Sequence, residues 1–236
     1  MRDLVSVRPF AFHGGGLGGG ALDVVWVLDD RTPTFTKPES GARGKETRGR
    51  LTLVKIVEES KKGDFVRAAD GAWLRTKDVR RPSKLAPPKE VAKGERWIDV
   101  ELAQQTLVAY QGETPVFATV VSTGKGAQGT ANQTPKGTFR IWVKLRSSTM
   151  DNLEDEGASS TWAIEDVPYV QFFSKGVALH GAFWHQGFGR VRSHGCVNLA
   201  PRDAQRVFAF TGPNLPAGCS AALPTEFERG TVVNVR

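Results

Sequence analysis

Three of the four histidines and one of the two cysteines of this chain lie between positions 180 and 196. They are His180, His185, His194 and Cys196. A thiol is nucleophilic as its thiolate, and a free thiol has a pKa of about 8.5, so a nearby imidazole is needed at neutral pH. The cluster therefore predicts nucleophilic chemistry by Cys196, with a nearby histidine as the base.

The neighbouring residues indicate how this pair is positioned. The apolar run 176–179 predicts a strand that ends at His180. Gly195 comes directly before Cys196, and glycine lets the backbone approach a substrate and turn its amide N–H groups toward an oxyanion. Two alternatives remain: a buried cysteine with structural histidines, and a zinc site, although the spacing matches no familiar zinc pattern.

No cofactor is expected. The run 124–129 matches the Gly-x-Gly-x-x-Gly dinucleotide fingerprint and follows a predicted strand. A dinucleotide site also requires a helix directly after this run, and residues 130–135 contain too many helix breakers to form one. The glycines at positions 14, 16 and 19 match as well, without a preceding strand. Both segments are predicted to be loops.

The chain after residue 95 is predicted to be mainly β. Residues 97–102 alternate, with Ile98, Val100 and Leu102 on one face, and the runs 106–110 and 115–122 predict a hairpin. One helix is predicted, from Pro201 to the stop at Thr211-Gly212-Pro213. The polar residues 147–161 are expected to form a long loop.

The first part of the chain is predicted to be a separate small domain. Residues 1–85 contain short β-like runs between turn residues and resemble a bacterial SH3-like module, which implies a small barrel of about five strands. The first 20 or so residues, rich in glycine, are expected to be flexible. Residues 86–95 form a proline-rich linker, and residues 96–236 form the second domain.

The second domain resembles the L,D-transpeptidase catalytic domain, also called the YkuD domain. The resemblance covers about residues 95–236 and rests on His180-Gly181, a glycine-rich spacer, and Ser193-His194-Gly195-Cys196-Val197-Asn198-Leu199. Further matches are Trp97-Ile98-Asp99-Val100, Ser122-Thr123-Gly124, Thr134-Pro135-Lys136-Gly137-Thr138-Phe139 and Val167-Pro168-Tyr169. The resemblance implies a β-sandwich-like fold.

The resemblance also implies roles for the clustered residues. In the family, the residue matching Cys196 attacks the carbonyl between the diamino residue and the terminal D-Ala of a peptidoglycan stem tetrapeptide, and the residue matching His180 is the base. The carbonyl of Gly181 is expected to hold the other ring nitrogen of His180. Backbone N–H groups of His194, Gly195 and Cys196 are expected to bind the oxyanion. The candidate substrate-binding residues are Asn198, Arg192, Tyr169 and Ser193.

The charge distribution and composition limit the classes of binding partner. Six of the seven net positive charges lie in residues 1–95, which favours an anionic partner such as the cell wall, although a solvated surface explains the charge as well. No nucleic-acid pattern, membrane-spanning run or export signal is visible, and a periplasmic or cell-envelope location follows from the resemblance alone. The functional alternatives are an L,D-carboxypeptidase that uses water and a catalytically silent peptidoglycan-binding protein.

Overall fold

The computed structural model describes residues 13–127, 129–130, 132–151 and 162–236. In chain order, the described strands are β1 (Gly15–Gly16), β2 (Val24–Val27), β3 (Thr32–Phe35), β4 (Arg43–Arg48), β5 (Leu53–Glu59), β6 (Phe65–Ala68), β7 (Trp73–Arg75), β8 (Val79–Arg80), β9 (Arg96–Glu101), β10 (Thr106–Gln111), β11 (Thr114–Val120), β12 (Gly137–Arg140), β13 (Val143–Asp151), β14 (Ala163–Ser174), β15 (Val177–Gly181), β16 (Val197–Leu199), β17 (Ala221–Ala222) and β18 (Val232–Val235). A 3-10 turn covers Thr76–Asp78, and one α-helix, α1, covers Pro201–Phe210. The prediction of a mainly β chain with one helix is confirmed.

Two sheets form the second half of the chain. One has six strands in the order β1-β11-β10-β9-β18-β12, and the other has five in the order β16-β15-β14-β13-β17. Apolar side chains of both sheets and of α1 fill one core, which includes Ile98, Leu107, Leu179, Val197 and Val207. The alternation predicted for residues 97–102 is confirmed, because Ile98 and Val100 lie in this core.

The opposite face of the six-stranded sheet is also covered. Trp97 and Tyr110, which are paired across β9 and β10, stack at 4.2 Å and lie in a second core with Val24, Trp26 and Phe188. This core joins the sheet to residues that precede the proline-rich segment. The two parts of the chain therefore share buried apolar contacts.

The N-terminal strands form a seven-stranded sheet in the order β4-β3-β7-β6-β5-β2-β8. The edge strands β4 and β8 do not pair with each other, so the described residues form no closed barrel and the expected SH3-like barrel is not shown. Strand β2 of this sheet carries Val24 and Trp26, and both side chains lie in the core shared with the six-stranded sheet.

The glycine-rich segment was expected to be flexible. Residues 1–12 lie outside the described residues, but Gly15 and Gly16 pair with Ala118 and Phe117 of β11. A Cβ on Gly14 would come within 2.2 Å of the Phe117 ring, and the Gly14 N–H donates to the buried Asp203 of α1 at 3.0 Å. Glycine lets this backbone lie flat against the sheet and the helix.

The predicted long loop over residues 147–161 is partly wrong. Residues 147–151 continue β13, which pairs with β14, and residues 152–161 lie outside the described residues. Met150 and Ile164 pack together against a small core under this hairpin. The polar residues of this segment had suggested a loop, because only every second side chain of the strand is half-buried there and the others are exposed.

Candidate active site

Two parallel neighbouring strands position the candidate catalytic pair. Strand β15 carries His180, β16 begins directly after Cys196, and the register places Leu179 opposite Val197 and His180 opposite Asn198. Leu179 and Val197 point into the core between the two sheets. Because side chains alternate along a strand, His180 and Ala178 lie on the other face of β15, and Cys196 packs against the small core that contains Ala178.

The ring of His180 is held by its own strand end. Its Nδ1 lies 3.2 Å from the carbonyl oxygen of Gly181, so Nδ1 carries the proton and donates it, which leaves Nε2 as the acceptor. A Cβ on Gly181 would lie 3.0 Å from Pro168 Cγ, so glycine allows the close packing of this turn. Burial lowers the pKa of His180 to about 4, partly opposed by the Gly181 bond. The imidazole is therefore neutral at pH 7.

The thiol of Cys196 is half-buried beside the same strand. Its Sγ accepts from the Ala178 N–H at 3.5 Å and lies 3.8 Å from the Gly176 carbonyl oxygen. Burial raises the pKa of this thiol to about 11, and the Ala178 N–H offsets part of the effect. In the resting state the pair is therefore a neutral thiol and a neutral imidazole rather than an ion pair.

The turn before Cys196 is shaped by glycine and two hydroxyl groups. Gly195 has φ +130°, and a Cβ there would lie 3.1 Å from the Gln133 carbonyl oxygen. Thr134 Oγ1 donates to the Gly195 carbonyl oxygen at 2.6 Å, and Ser193 Oγ donates to the Cys196 carbonyl oxygen. The Gly195 N–H, expected to face an oxyanion, donates instead to Ser193 Oγ at 3.1 Å. Ser193 is buried and organises this turn, whereas the sequence suggested a substrate contact.

Asn198, another expected substrate contact, lies in the interior. Its side-chain amide is 2.9 Å from Nε2 of the buried His185, whose Nδ1 accepts the Gly187 N–H at 3.0 Å. A neutral imidazole has one acceptor nitrogen, so Nε2 must donate and the Asn198 amide must turn its oxygen toward it. In the opposite orientation this oxygen has no partner.

His185 is the residue that the sequence reasoning missed. The sequence indicated no role for it beyond membership of the cluster, yet it is buried, and burial together with the charge of Arg192 lowers its pKa to about 4. Its ring lies 4.9 Å from that of Phe188, and the preceding residue, Trp184, stacks on His180 at 5.7 Å. No local sequence pattern indicates that His185 pairs with Asn198.

The remaining candidate residues lie in different surroundings. Trp162, at the start of the second hairpin strand, stacks on the exposed His194 at 5.4 Å, which brings the β13–β14 hairpin to the turn before Cys196. Arg192 is exposed, and its backbone N–H donates to Thr123. Tyr169, an expected substrate contact, packs against Phe208 and the central core instead.

The zinc alternative finds no support in the donor geometry. Within the described ranges, no three His, Cys, Asp or Glu side chains converge as metal ligands. Both nitrogens of His185 and Nδ1 of His180 already meet protein groups. Cys196 and Cys219 are free thiols. No helix in the described part of the chain has the length and hydropathy to cross a bilayer.

The fold and the site together define a β-sandwich with a cysteine and a histidine on adjacent strands. The sequence model of YkuD, the L,D-transpeptidase catalytic domain, matches residues 95–235. This is more than half of the chain, which therefore belongs to the L,D-transpeptidase family, whose members act on peptidoglycan.

Solved structures include similar chains. An L,D-transpeptidase from Stackebrandtia nassauensis is 27% identical, with a TM-score of 0.42, 62% of this chain covered and 57% of that chain. The catalytic domain from Enterococcus faecium is 23% identical, with a TM-score of 0.46 and coverage of 61% and 98%. L,D-transpeptidase 3 from Mycobacterium tuberculosis, in complex with a faropenem-derived adduct, is 18% identical, with a TM-score of 0.46 and coverage of 60% and 60%.

The chain thus spans less than two thirds of the length of the Stackebrandtia and Mycobacterium chains. No curated protein matches it.

Proposed function

We propose that this chain is a cysteine acyltransferase that cross-links peptidoglycan stem peptides, with Cys196 as nucleophile and His180 as general base. One observation carries the proposal. His180 is tied through Nδ1 to the Gly181 carbonyl oxygen, which leaves Nε2 as a proton acceptor on the face of β15 that also carries Ala178, the neighbour of Cys196. This is the orientation that a base for a thiol requires.

The first half-reaction forms a thioester. As the sulfur of Cys196 attacks the carbonyl carbon between the diamino residue and D-Ala, its proton passes to Nε2 of His180. The carbon–nitrogen bond then breaks, the imidazolium returns the proton to the leaving amine, and D-Ala departs. Because the resting pair is neutral, charge develops only during attack.

The second half-reaction resolves the thioester. A side-chain amine of a second stem attacks the thioester carbonyl and gives up a proton to His180. The carbon–sulfur bond breaks, the new amide is released, and the proton returns to the sulfur. The net result is one peptide bond broken and one formed.

Backbone N–H groups stabilise the oxyanion in both steps. Among the described residues, the N–H groups of Cys196 and His194 donate to no carbonyl oxygen, whereas that of Gly195 is engaged by Ser193 in the resting state. We assign the first two as oxyanion donors. The exposed Arg192 is suited to bind the carboxylate of a stem.

We place the enzyme in the cell envelope, where its substrate lies. The net charge of residues 1–95 supports attraction of the N-terminal sheet to the anionic wall. Salt-dependent pelleting of the protein with purified wall, compared with a neutral insoluble glycan, tests this attraction. Equal pelleting with both materials would contradict it.

Incubation with purified disaccharide-tetrapeptide, followed by mass spectrometry, tests the reaction. A cross-linked dimer with release of D-Ala is the expected product. Loss of D-Ala alone would assign a carboxypeptidase that uses water. An unchanged substrate that still binds would assign a silent binding protein. Cys219→Ala is the matched control, because Cys219 is exposed and lies in a different loop, and it should turn over like the parent.

A further inference from the structure

The loop between β15 and β16 joins the N-terminal sheet to the candidate active site. We refer to residues 184–190 as the connecting loop. One end, Trp184 and His185, contacts His180 and Asn198. The other end, residues 186–190, meets side chains from the N-terminal sheet. A change in the contacts between residues 186–190 and the N-terminal sheet can therefore be transmitted through the loop to His180.

Arg50 makes the central contact with the connecting loop. It lies in the turn before β5, and its guanidinium donates through Nη1 to the Gln186 carbonyl oxygen and through Nη2 to the Phe188 carbonyl oxygen at 2.8 Å. Its own backbone N–H donates to Asp30 at 3.2 Å. One planar guanidinium thus donates to two carbonyl groups that are two residues apart. The ammonium group of a lysine cannot reproduce this geometry.

Two neighbouring contacts extend this attachment. Arg80 Nε donates to the Gly189 carbonyl oxygen at 2.9 Å, and Asp29 forms an ion pair with Arg190. A Cβ on Gly189 would approach Leu28 Cδ2 to 3.0 Å, so the backbone of the loop lies directly against the N-terminal sheet. Four of the five residues 186–190, all but Gly187, therefore bond to side chains of that sheet or its turns.

The same loop is fixed on its inner side. Phe188 is fully buried in the core shared with Val24 and Trp26, and the Gly189 N–H donates to the Val121 carbonyl oxygen at 2.8 Å. The Gly187 N–H donates to His185 Nδ1, which sets the tautomer that His185 presents to Asn198. The backbone of Asn198 is held in turn by two hydrogen bonds with Ser122.

We propose that the N-terminal sheet positions the catalytic base: Arg50 fixes the connecting loop, and the loop fixes His180 through Trp184 and the His185–Asn198 pair. Arg50 is thus a positioning residue for the acyl transfer proposed above, on which this inference rests. A small displacement of a base is enough to slow a reaction strongly, so a contact remote from the substrate can control the rate.

Three variants test the inference. Arg50→Ala removes both carbonyl contacts, Arg50→Lys keeps the charge but cannot bond both carbonyl groups, and Arg48→Ala is the matched control. Arg48 lies on the same sheet, and its ion pairs among the described residues are with Glu46 and Asp70, both on the N-terminal sheet or its turns. All are made in the full chain, and each is first checked for native circular dichroism.

The measurements are amide hydrogen exchange at Gly187 and Gly189, the imidazole N–H resonance of His180, and kcat and KM for D-Ala release. For Arg50→Ala we expect faster exchange at both amides, a broadened or shifted His180 resonance, and kcat lowered by about tenfold or more at little-changed KM. Arg50→Lys should be intermediate, and Arg48→Ala should match the parent in every measurement.

Several outcomes would overturn the inference: a folded Arg50→Ala with parental kcat, a loosened loop with an unmoved His180 resonance, or equal losses in Arg48→Ala. If Arg50→Ala does not fold, Arg50→Lys decides, and parental behaviour in that variant overturns the inference. If the parent releases no D-Ala, the proposed function fails, while exchange and the His180 resonance still report whether Arg50 positions this ring.

Discussion

At the scale of the residue, the site is a neutral pair. Burial lowers the pKa of His180 to about 4 and raises that of Cys196 to about 11. The sequence predicted that a nearby imidazole activates this thiol at neutral pH. A thiolate that is already formed in the resting state would be one form of such activation. Burial on the second face of β15 and β16 opposes that outcome, since both charged forms are poorly solvated there.

The pH dependence of alkylation tests this protonation state. In a Cys219→Ala background, without substrate, we expect the rate of Cys196 alkylation by iodoacetamide to rise about tenfold per pH unit between pH 7 and 9, because only the thiolate reacts. The rate is followed by intact-protein mass spectrometry. A rate that is constant from pH 5 to 9 would instead indicate a preformed thiolate–imidazolium pair.

The spacing of His180 and Cys196 could be read from the sequence, but their surroundings could not. A His-Gly…Ser-His-Gly-Cys pattern is local, and it supplied the candidate residues of the site. The pairing of His185 with Asn198 depends on how a loop folds back onto β16, and no local pattern encodes it. For the same reason Asn198 and Ser193 were expected at the substrate, whereas both are buried.

At the scale of the element, α1 is held at its carboxyl end by a buried lysine. Lys144 of β13 donates through Nζ to the Phe208 carbonyl oxygen at 2.6 Å and to the Thr211 carbonyl oxygen at 2.7 Å. Burial lowers the pKa of this amine to about 8. A cation at this position also opposes the partial negative charge of the helix end.

Loss of this amine should destabilise the fold. Lys144→Met leaves the buried Thr211 carbonyl oxygen without its donor, and the Phe208 carbonyl oxygen keeps only the Thr211 hydroxyl at 3.4 Å. We expect the free energy of unfolding to fall by about 1–3 kcal/mol. Urea denaturation followed by circular dichroism measures the change. Lys136→Met, at an exposed lysine, is the control and should stay within about 0.5 kcal/mol of the parent. Equal stability of the two variants would contradict this role for Lys144.

The strands that could be predicted are those with a visible alternation. In residues 97–102, Ile98 and Val100 face the central core while Trp97 faces the second core, so the predicted alternation appears as two faces that are both buried. Residues 147–151 form a strand that was expected to be loop, since hydroxyl and charged side chains occupy its outward positions. The pairing of Gly15 and Gly16 with β11 had no signal, because glycine carries no side chain to show a pattern.

At the scale of the whole molecule, the N-terminal sheet and the catalytic sandwich share a core. Trp26 and Val24 pack with Trp97 and Tyr110, and Leu85 N–H donates to the Tyr110 hydroxyl at 3.2 Å. The sequence indicated a separate domain behind a proline-rich linker, because composition marks a boundary but says nothing about docking. The shared core instead holds the N-terminal sheet against the sandwich.

Buried histidines should make the whole molecule sensitive to acid. His180 and His185 have folded pKa values of about 4 against an ordinary 6.5, so their contribution to stability is complete above pH 6.5 and is lost as the pH falls toward 4. Asp203, whose pKa burial raises to about 6 from 3.8, contributes in the opposite direction and loses its contribution as the pH rises through 6.

Between pH 5 and pH 7, the stability lost through the two histidines on acidification exceeds the stability gained through Asp203. We expect the free energy of unfolding to be about 2 kcal/mol lower at pH 5 than at pH 7. Urea denaturation at the two pH values measures the difference, and His185→Gln, which cannot titrate, should reduce it. A protein that is as stable at pH 5 as at pH 7 would show that these histidines are not buried in the neutral form.

The central claim is that the acyl group of a stem peptide passes through the sulfur of Cys196. Rapid acid quenching during turnover of the disaccharide-tetrapeptide, followed by intact-protein and peptide mass spectrometry, tests it most directly. We expect a thioester on Cys196 whose mass is that of the substrate without D-Ala, present in Cys219→Ala and missing from Cys196→Ala. D-Ala release that persists in a folded Cys196→Ala variant would contradict the account.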